Sequence, residues 1–410
     1  MFQARLALLG IVASVSAMDR TSNSKQWHTN VPESCAKLFY TEFIPFGSGA
    51  KATPTIANFG TFTRPGDPMR NVFAMIAIAC TFPSFSGLRA ADEPVVMAYY
   101  YPWYVRGDWT RHDYVGTPIL GRYGTDSPET TAQHIQWCAD HRIDGFFVSW
   151  WGADHLADEH LRSGLLKASN LKQIRFALYY ESLGLLDRQD GAEDGVVDFS
   201  KPAVMVKLID DFHYLAKNYL SHPQYLKVAE RPVVGFYVTR TFKGFTRDHL
   251  DRLRRAIDVD LYAIADEAFF GEQASPITAR HGVGLFDAYT AYNMFENPKV
   301  QDSDSALSYQ SREAFPIFRE WAKHVHFIPA VFPSYADFRG NKPLAGNPAD
   351  FANLVDAASA IANQPQPGAA RMILLTSFNE WWEGTTIEPA REYGTSYLKV
   401  IGDFKARPDK

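Results

Sequence analysis

Residues 371–389 read Arg371-Met372-Ile373-Leu374-Leu375-Thr376-Ser377-Phe378-Asn379-Glu380-Trp381-Trp382-Glu383-Gly384-Thr385-Thr386-Ile387-Glu388-Pro389. An apolar run of strand type ends here in a turn rich in acids and indoles. A chain selected only to fold seldom places carboxylates at the exit of a buried strand, because their burial is unfavourable. Sugar chemistry uses this combination: carboxyl groups move protons, and flat aromatic faces stack on pyranose rings.

The same pattern recurs upstream. Short apolar runs that read as strands are Val95–Tyr101, Gly145–Trp150, Ile174–Tyr180, Pro232–Val238, Leu261–Ala265, a weaker Leu285–Tyr289, His326–Val331 and Met372–Phe378. Continuous apolar runs, rather than alternation, suit parallel strands covered on both faces. Helical patterns lie between them, near 127–142, 154–168, 202–220, 246–257, 308–323 and 348–363. Two open on a cap followed by proline, Ser127-Pro128-Glu129 and Asn347-Pro348-Ala349-Asp350. No convincing long helix links the fifth and sixth strands. Eight strands with intervening helices predict a single (β/α)8 TIM barrel over residues 94–405. A doubly wound open sheet is the alternative; the lack of a Gly-rich loop after the first strand argues against its nucleotide-binding form.

The chain has 410 residues and a net charge of −5, with Lys and Arg scattered rather than blocked. That excludes the electrostatic footprint of a nucleic-acid partner. The three cysteines, Cys35, Cys80 and Cys138, show no metal-ligand spacing, and Cys138 in its helical pattern reads as a core thiol. No metal and no cofactor are expected.

Residues 1–90 read as outside the barrel. An apolar run at 6–17 after Arg5 resembles an export signal, and a second begins at Met69-Arg70 and runs from Val72 to Phe82 before small residues. Neither reaches the roughly 18 apolar residues of a membrane span. The expectation is a start at Met69, a signal over 70–90, and export to the periplasm or outside; the alternative is a signal over 1–18 with an ordered extension. A monomer is expected.

In a barrel the chemistry sits at the C-terminal strand ends. Those positions hold Tyr101 and Trp103, Trp150 and Trp151, Glu181, Tyr237, Asp266 and Glu267, Tyr292 and Asn293, Tyr335 and Asp337, then Asn379, Glu380, Trp382 and Glu383. Each has a bland reading: a lone Trp packs core, Glu181 pairs with an arginine, and Asp266-Glu267 caps a helix. Together they form a ring of acids and aromatics, the inventory of a glycosidase. Glu380 and Glu383 are three apart, which puts both on one side of a turn. So close a pair divides into a protonated and an ionised member, as a general acid and base require.

Tyr99-Tyr100-Tyr101-Pro102-Trp103-Tyr104, then Trp109, His112 and Pro118-Ile119-Leu120-Gly121-Arg122-Tyr123, resemble the opening of glycoside hydrolase family 99. So do His134-Ile135, Ile143-Asp144-Gly145-Phe146 and Ser149-Trp150-Trp151-Gly152, and the closing Ser377 to Glu388 resembles that family's acid loop. The resemblance implies a retaining endo-acting α-mannosidase or α-mannanase on a (β/α)8 barrel, with no metal, acting on an oligo- or polysaccharide. It implies that Glu380 is the base that deprotonates the sugar 2-hydroxyl. Glu383 would be the acid at the leaving oxygen, and the intermediate a 1,2-anhydro sugar. Sugar contacts would come from Tyr101, Trp103, Trp150, Trp151, Glu181, Tyr237, Tyr292, Asn293, Asn379 and Trp382. The chain departs from the family pattern at Trp382, where many members have His, and at Thr386, where many have Gln. It also departs at Pro333-Ser334-Tyr335-Ala336-Asp337 and at Tyr180-Glu181-Ser182-Leu183. The alternatives are a carbohydrate-binding or polysaccharide-assembly protein on the same barrel, which would keep the aromatics and lose the acids, and an α-glucan-directed hydrolase.

Overall fold

The computed structural model describes residues 93–109, 114–189, 194–267, 283–292, 294, 297–336, 341–368 and 370–407. The two signal-like segments, His112, Asn293 and Asp337 lie outside them.

Eight parallel strands form the barrel: β1 (Val95–Tyr100), β2 (Gly145–Trp150), β3 (Arg175–Tyr180), β4 (Arg231–Phe236), β5 (Tyr262–Asp266), β6 (Ala288–Thr290), β7 (Ala330–Val331) and β8 (Met372–Leu375). The order around the sheet is β7-β8-β1-β2-β3-β4-β5-β6. A single parallel bridge, Tyr289 to Phe327, closes the ring between β6 and β7; the Tyr289 N–H donates to the His326 carbonyl at 2.9 Å. Every residue of β1, β2 and β8 is buried, as continuous apolar runs require. The sixth and seventh strands are shorter or shifted relative to the apolar runs that announce them. Pro329 breaks the seventh because it has no N–H for the ladder.

The helices are α1 (Pro128–Asp140), α2 (Leu156–Ser163), α3 (Pro202–Leu215), α4 (Arg247–Ile257), α5 (Phe315–Ala322), α6 (Pro348–Ala362) and α7 (Ser396–Lys405). The expected caps form: Ser127 Oγ accepts the Thr130 N–H at 3.2 Å, and Asn347 Oδ1 accepts that of Asp350 at 3.0 Å. The helix expected over 308–323 forms as one helical run, Ala306–Tyr309 leading through a π segment into α5. A π turn at Gln310–Ala314 precedes α5, whose first turn holds Pro316; a proline without a donor is accommodated by widening the turn before it. α7, which packs on α6, has no counterpart among the helices read from sequence.

Strand alternation sorts the aromatics. Tyr99, Phe147 and Tyr179 meet inside the barrel, with Tyr99–Tyr179 ring centres 4.9 Å apart at 71°. Tyr100, Phe146 and Phe378 pack outward toward His134 of α1. In β4, Gly235 leaves the room these inner rings need: a Cβ there would lie 2.5 Å from Phe147 and 2.6 Å from Tyr179. This aromatic floor supports the strand ends above it.

Candidate active site

The turn after β8 is held from behind. Asn379 is fully buried and clamps the main chain of Tyr101, accepting its N–H at 2.8 Å and donating to its carbonyl at 3.0 Å. Tyr104 donates to the Asn379 carbonyl at 2.6 Å and accepts the Trp381 N–H at 3.1 Å. Glu388 reaches back under the turn, fully buried, to accept from Tyr123 at 2.6 Å and from Trp381 Nε1 at 2.9 Å. Its other oxygen is 3.3 Å from His134 Nε2, an ion-pair approach without a well-aligned hydrogen bond. Thr386 is used by the turn itself, donating to the Phe378 carbonyl at 2.7 Å and accepting the Glu388 N–H at 3.1 Å.

This clamp presents two carboxylates. Glu380 is buried; its Oε1 accepts the Trp382 N–H at 3.1 Å. Glu383 is half-buried, and its Oε2 accepts from the Tyr292 phenol at 3.2 Å. Tyr292 in turn accepts from Tyr101 at 2.5 Å, so a directed chain of hydroxyls ends on Glu383. Burial and the charge on Glu383 keep the Tyr292 phenol protonated, so it acts as a donor.

A third carboxyl lies close by. Glu181 follows β3 and accepts from Ser149 at 2.6 Å. Burial pushes its pKa up to about 8; the Ser149 bond opposes this, and the charges of Asp266 and Glu383 add to it. These surroundings favour the protonated form of Glu181.

The indoles frame one side. Trp103 and Trp382 are both half-buried and stack at 5.2 Å and 14°. Trp151 lies 6.2 Å from Trp103, with its Nε1 donating to Ser149 at 2.8 Å. Its ring rests on Gly184, where a Cβ would come within 2.8 Å. Tyr101 packs against Trp103 at 4.5 Å, and Tyr237 meets Tyr179 and Tyr292 edge-on.

Two residues expected to touch sugar are placed elsewhere. Trp150 is fully buried in the layer between sheet and helices; it donates to Asp158 Oδ1 at 2.8 Å and stacks on Tyr180 and Tyr214. It shares the parity of Phe146 and Val148, so its side chain leaves the outer face of the sheet. Asn379 has its amide committed to Tyr101. Two residues not picked out at the strand ends take part: Ser149, which joins Glu181 to Trp151, and Glu388, beneath the turn; Asp266, read as a strand-end acid but not as a sugar contact, takes part at the end of β5. The inward parity of Ser149 was a sequence signal, whereas the Glu388 contacts depend on how the turn folds back.

No cluster of three or more His, Cys, Asp or Glu side chains suited to a metal is found among the described residues. None of their helices is long and apolar enough to cross a membrane.

The model of a family described as "Glycosyltransferase WbsX" matches residues 106–401. A mouse protein named glycoprotein endo-alpha-1,2-mannosidase is 22% identical over 321 residues, covering 72% of this chain and 62% of its own length. The chain thus spans less than two thirds of that relative. A solved structure titled "Glycoside hydrolase-like protein" superposes with a TM-score of 0.58 at 18% identity, over 78% of this chain and 95% of the other. The family 99 endo-alpha-mannosidase of Bacteroides thetaiotaomicron, in complex with BIS-TRIS-propane, gives 0.55 at 20% identity over 77% and 96%. The barrel and the family 99 likeness read from sequence both reappear in these matches.

Proposed function

This chain belongs to the family described as glycosyltransferase WbsX, and from that premise we propose that it is a retaining α-glycosidase acting on α-mannosidic linkages in glycans or mannan. The observation that carries the reading is the pairing of Glu380 and Glu383 on one clamped turn, with the Tyr101–Tyr292 hydroxyl chain ending on Glu383. The stacked Trp103–Trp382 pair beside them suits a pyranose face.

In the proposed reaction Glu380 takes the proton of the sugar 2-hydroxyl, and that oxygen attacks the anomeric carbon. The glycosidic bond breaks as Glu383 gives its proton to the leaving oxygen. Water, deprotonated by Glu383, then opens the 1,2-anhydro sugar at the anomeric carbon, and Glu380 returns the first proton to O2. Two inversions leave the configuration retained. The raised pKa of Glu181 supports this route, because a carboxyl held toward its protonated form is a poor nucleophile for the directly attacking carboxylate of the commoner scheme.

The family's description favours a second reading, in which a sugar hydroxyl replaces water as the acceptor. The proposal includes export, for which the signal-like segments speak; sequencing the amino terminus of secreted protein tests it.

The test incubates the protein with α-mannan, an α-glucan and an activated aryl α-mannoside, with Glu383→Gln alongside. The expected result is reducing sugar from an α-mannoside substrate, with retained configuration. Release from α-glucan alone moves the substrate. Binding without release supports a non-catalytic protein, and transfer to added sugar at the expense of hydrolysis supports the second reading.

A further inference from the structure

We propose that Asp266 is a positioning residue for the acid step, fixing Tyr292 so that its phenol donates to Glu383. This rests on the reading of Glu383 as the acid.

Asp266 ends β5 and is fully buried. Its Oδ1 accepts the Tyr292 N–H at 2.8 Å. Its Oδ2 accepts from the Tyr179 phenol at 2.8 Å and from the Val238 N–H at 3.2 Å. Donors from within β3 and from just beyond β4 and β6 thus converge on one carboxylate. On balance its pKa is raised, burial outweighing these bonds and the charge of Arg240; the three converging donors are the partners that suit the ionised, acceptor-only form.

Two features set this apart from an ordinary staple. Val238 has φ 54° and ψ 49°, a left-handed conformation that β-branched residues rarely adopt. Such a backbone persists only where its surroundings over-determine it, often beside a functional site. The second feature is what Asp266 holds. The N–H it fixes belongs to Tyr292, whose hydroxyl accepts from Tyr101 and donates to Glu383 Oε2. One residue is therefore tied at its backbone to a buried charge and at its tip to the acid. With Oε2 taking the phenol's hydrogen bond, Oε1 carries the proton that Glu383 transfers.

The charged and titratable groups around the two ends are Tyr99, Tyr179, Arg240 and Glu181 about Asp266, and Glu181, Glu380, Tyr101 and Tyr292 about Glu383. Because Asp266 is itself charged, its removal changes the field at Glu383 as well as the position of Tyr292. A crossed pair of variants separates the two effects.

The experiment follows the Glu383 carboxyl in the full chain with 13C-labelled glutamate, assigned by Glu383→Gln. Tyr292→Phe removes a donor to the carboxylate and is expected to raise the Glu383 midpoint by about one unit. In the Asp266→Asn background the same substitution is expected to move it by less than about a third as much, because the phenol is no longer in place. An equal shift in both backgrounds overturns the proposal. If Asp266→Asn does not fold, Asp266→Glu, which keeps the charge and displaces it by one methylene, is expected to weaken the coupling in the same way.

Turnover gives an independent readout. Asp266→Asn is expected to lose about 10–100-fold in kcat on α-mannan, and only about 3-fold on an aryl mannoside whose leaving group needs no acid. Equal losses on both substrates would mark Asp266 as a structural residue only. If the coupling is seen but the wild type cleaves no α-glycoside, the glycosidase reading falls and the Asp266–Tyr292–Glu383 link stands. Normal turnover without the coupling does the reverse.

Discussion

Glu383 and Glu388 lie five residues apart on one turn and meet opposite surroundings. Glu383 is half-buried at the strand ends, in contact with the Tyr292 phenol and near the Glu181 carboxyl. Glu388 is fully buried, and its carboxylate is taken up by Tyr123, Trp381 and the approach of His134. Residue type does not separate a chemical acid from a structural one; the fixed partners do. Glu388 has one oxygen taken by two donors and the other against His134, whereas Glu383 is only half-buried and accepts from Tyr292.

The largest expected effect splits the two. Glu383→Gln should lose roughly 10²–10⁴-fold in kcat/KM on a substrate with a poor leaving group, with Tm nearly unchanged. Glu388→Ala should instead destabilise the fold by about 3–5 kcal/mol, because it strands Tyr123 and Trp381 without their shared acceptor and empties a buried site beside His134. Thermal unfolding alongside kinetics checks both. A stable Glu388→Ala protein that cannot transfer protons would reverse the assignment.

Trp150 and Trp151 sharpen the comparison at the next scale. Trp150→Ala empties a packed site and should cost about 3–5 kcal/mol of stability. Trp151→Ala should leave Tm within a few degrees and raise KM by a factor of about 5, in keeping with a lost stacking face of about 1 kcal/mol. Similar unfolding of both variants would put Trp151 in the core.

A pH-dependent effect concerns Glu181. Folded, its carboxyl keeps a proton up to about pH 8; unfolded, it loses it above about pH 4.3. The folded state therefore binds more protons across that window, so stability falls as pH rises through it and levels off above pH 8. Glu181→Gln should flatten this part of a Tm-versus-pH curve. An unchanged slope would show that Glu181 is ionised and reopen its role.

The eight strands and most helices were legible because apolar runs and capped amphipathic stretches follow local rules. The seventh strand, cut by Pro329, and the π segment before α5 were announced by their prolines. α7 went unread because its contacts with α6 are tertiary. At the site, the acids and Trp103, Trp151 and Trp382 were legible as residues at strand ends. Trp150 could have been set aside by counting parity from Phe147 and Ser149. The clamp of Asn379 on Tyr101, 278 positions away, could not, since neither residue announces which partner its polar groups will find.

The most direct test of the account is the structure of Glu383→Gln bound to an α-mannose oligosaccharide. The account predicts the sugar 2-hydroxyl within about 2.6–3.2 Å of a Glu380 oxygen, and the glycosidic oxygen beside residue 383. A carboxylate placed in line with the anomeric carbon, or a sugar bound away from this turn, would contradict it.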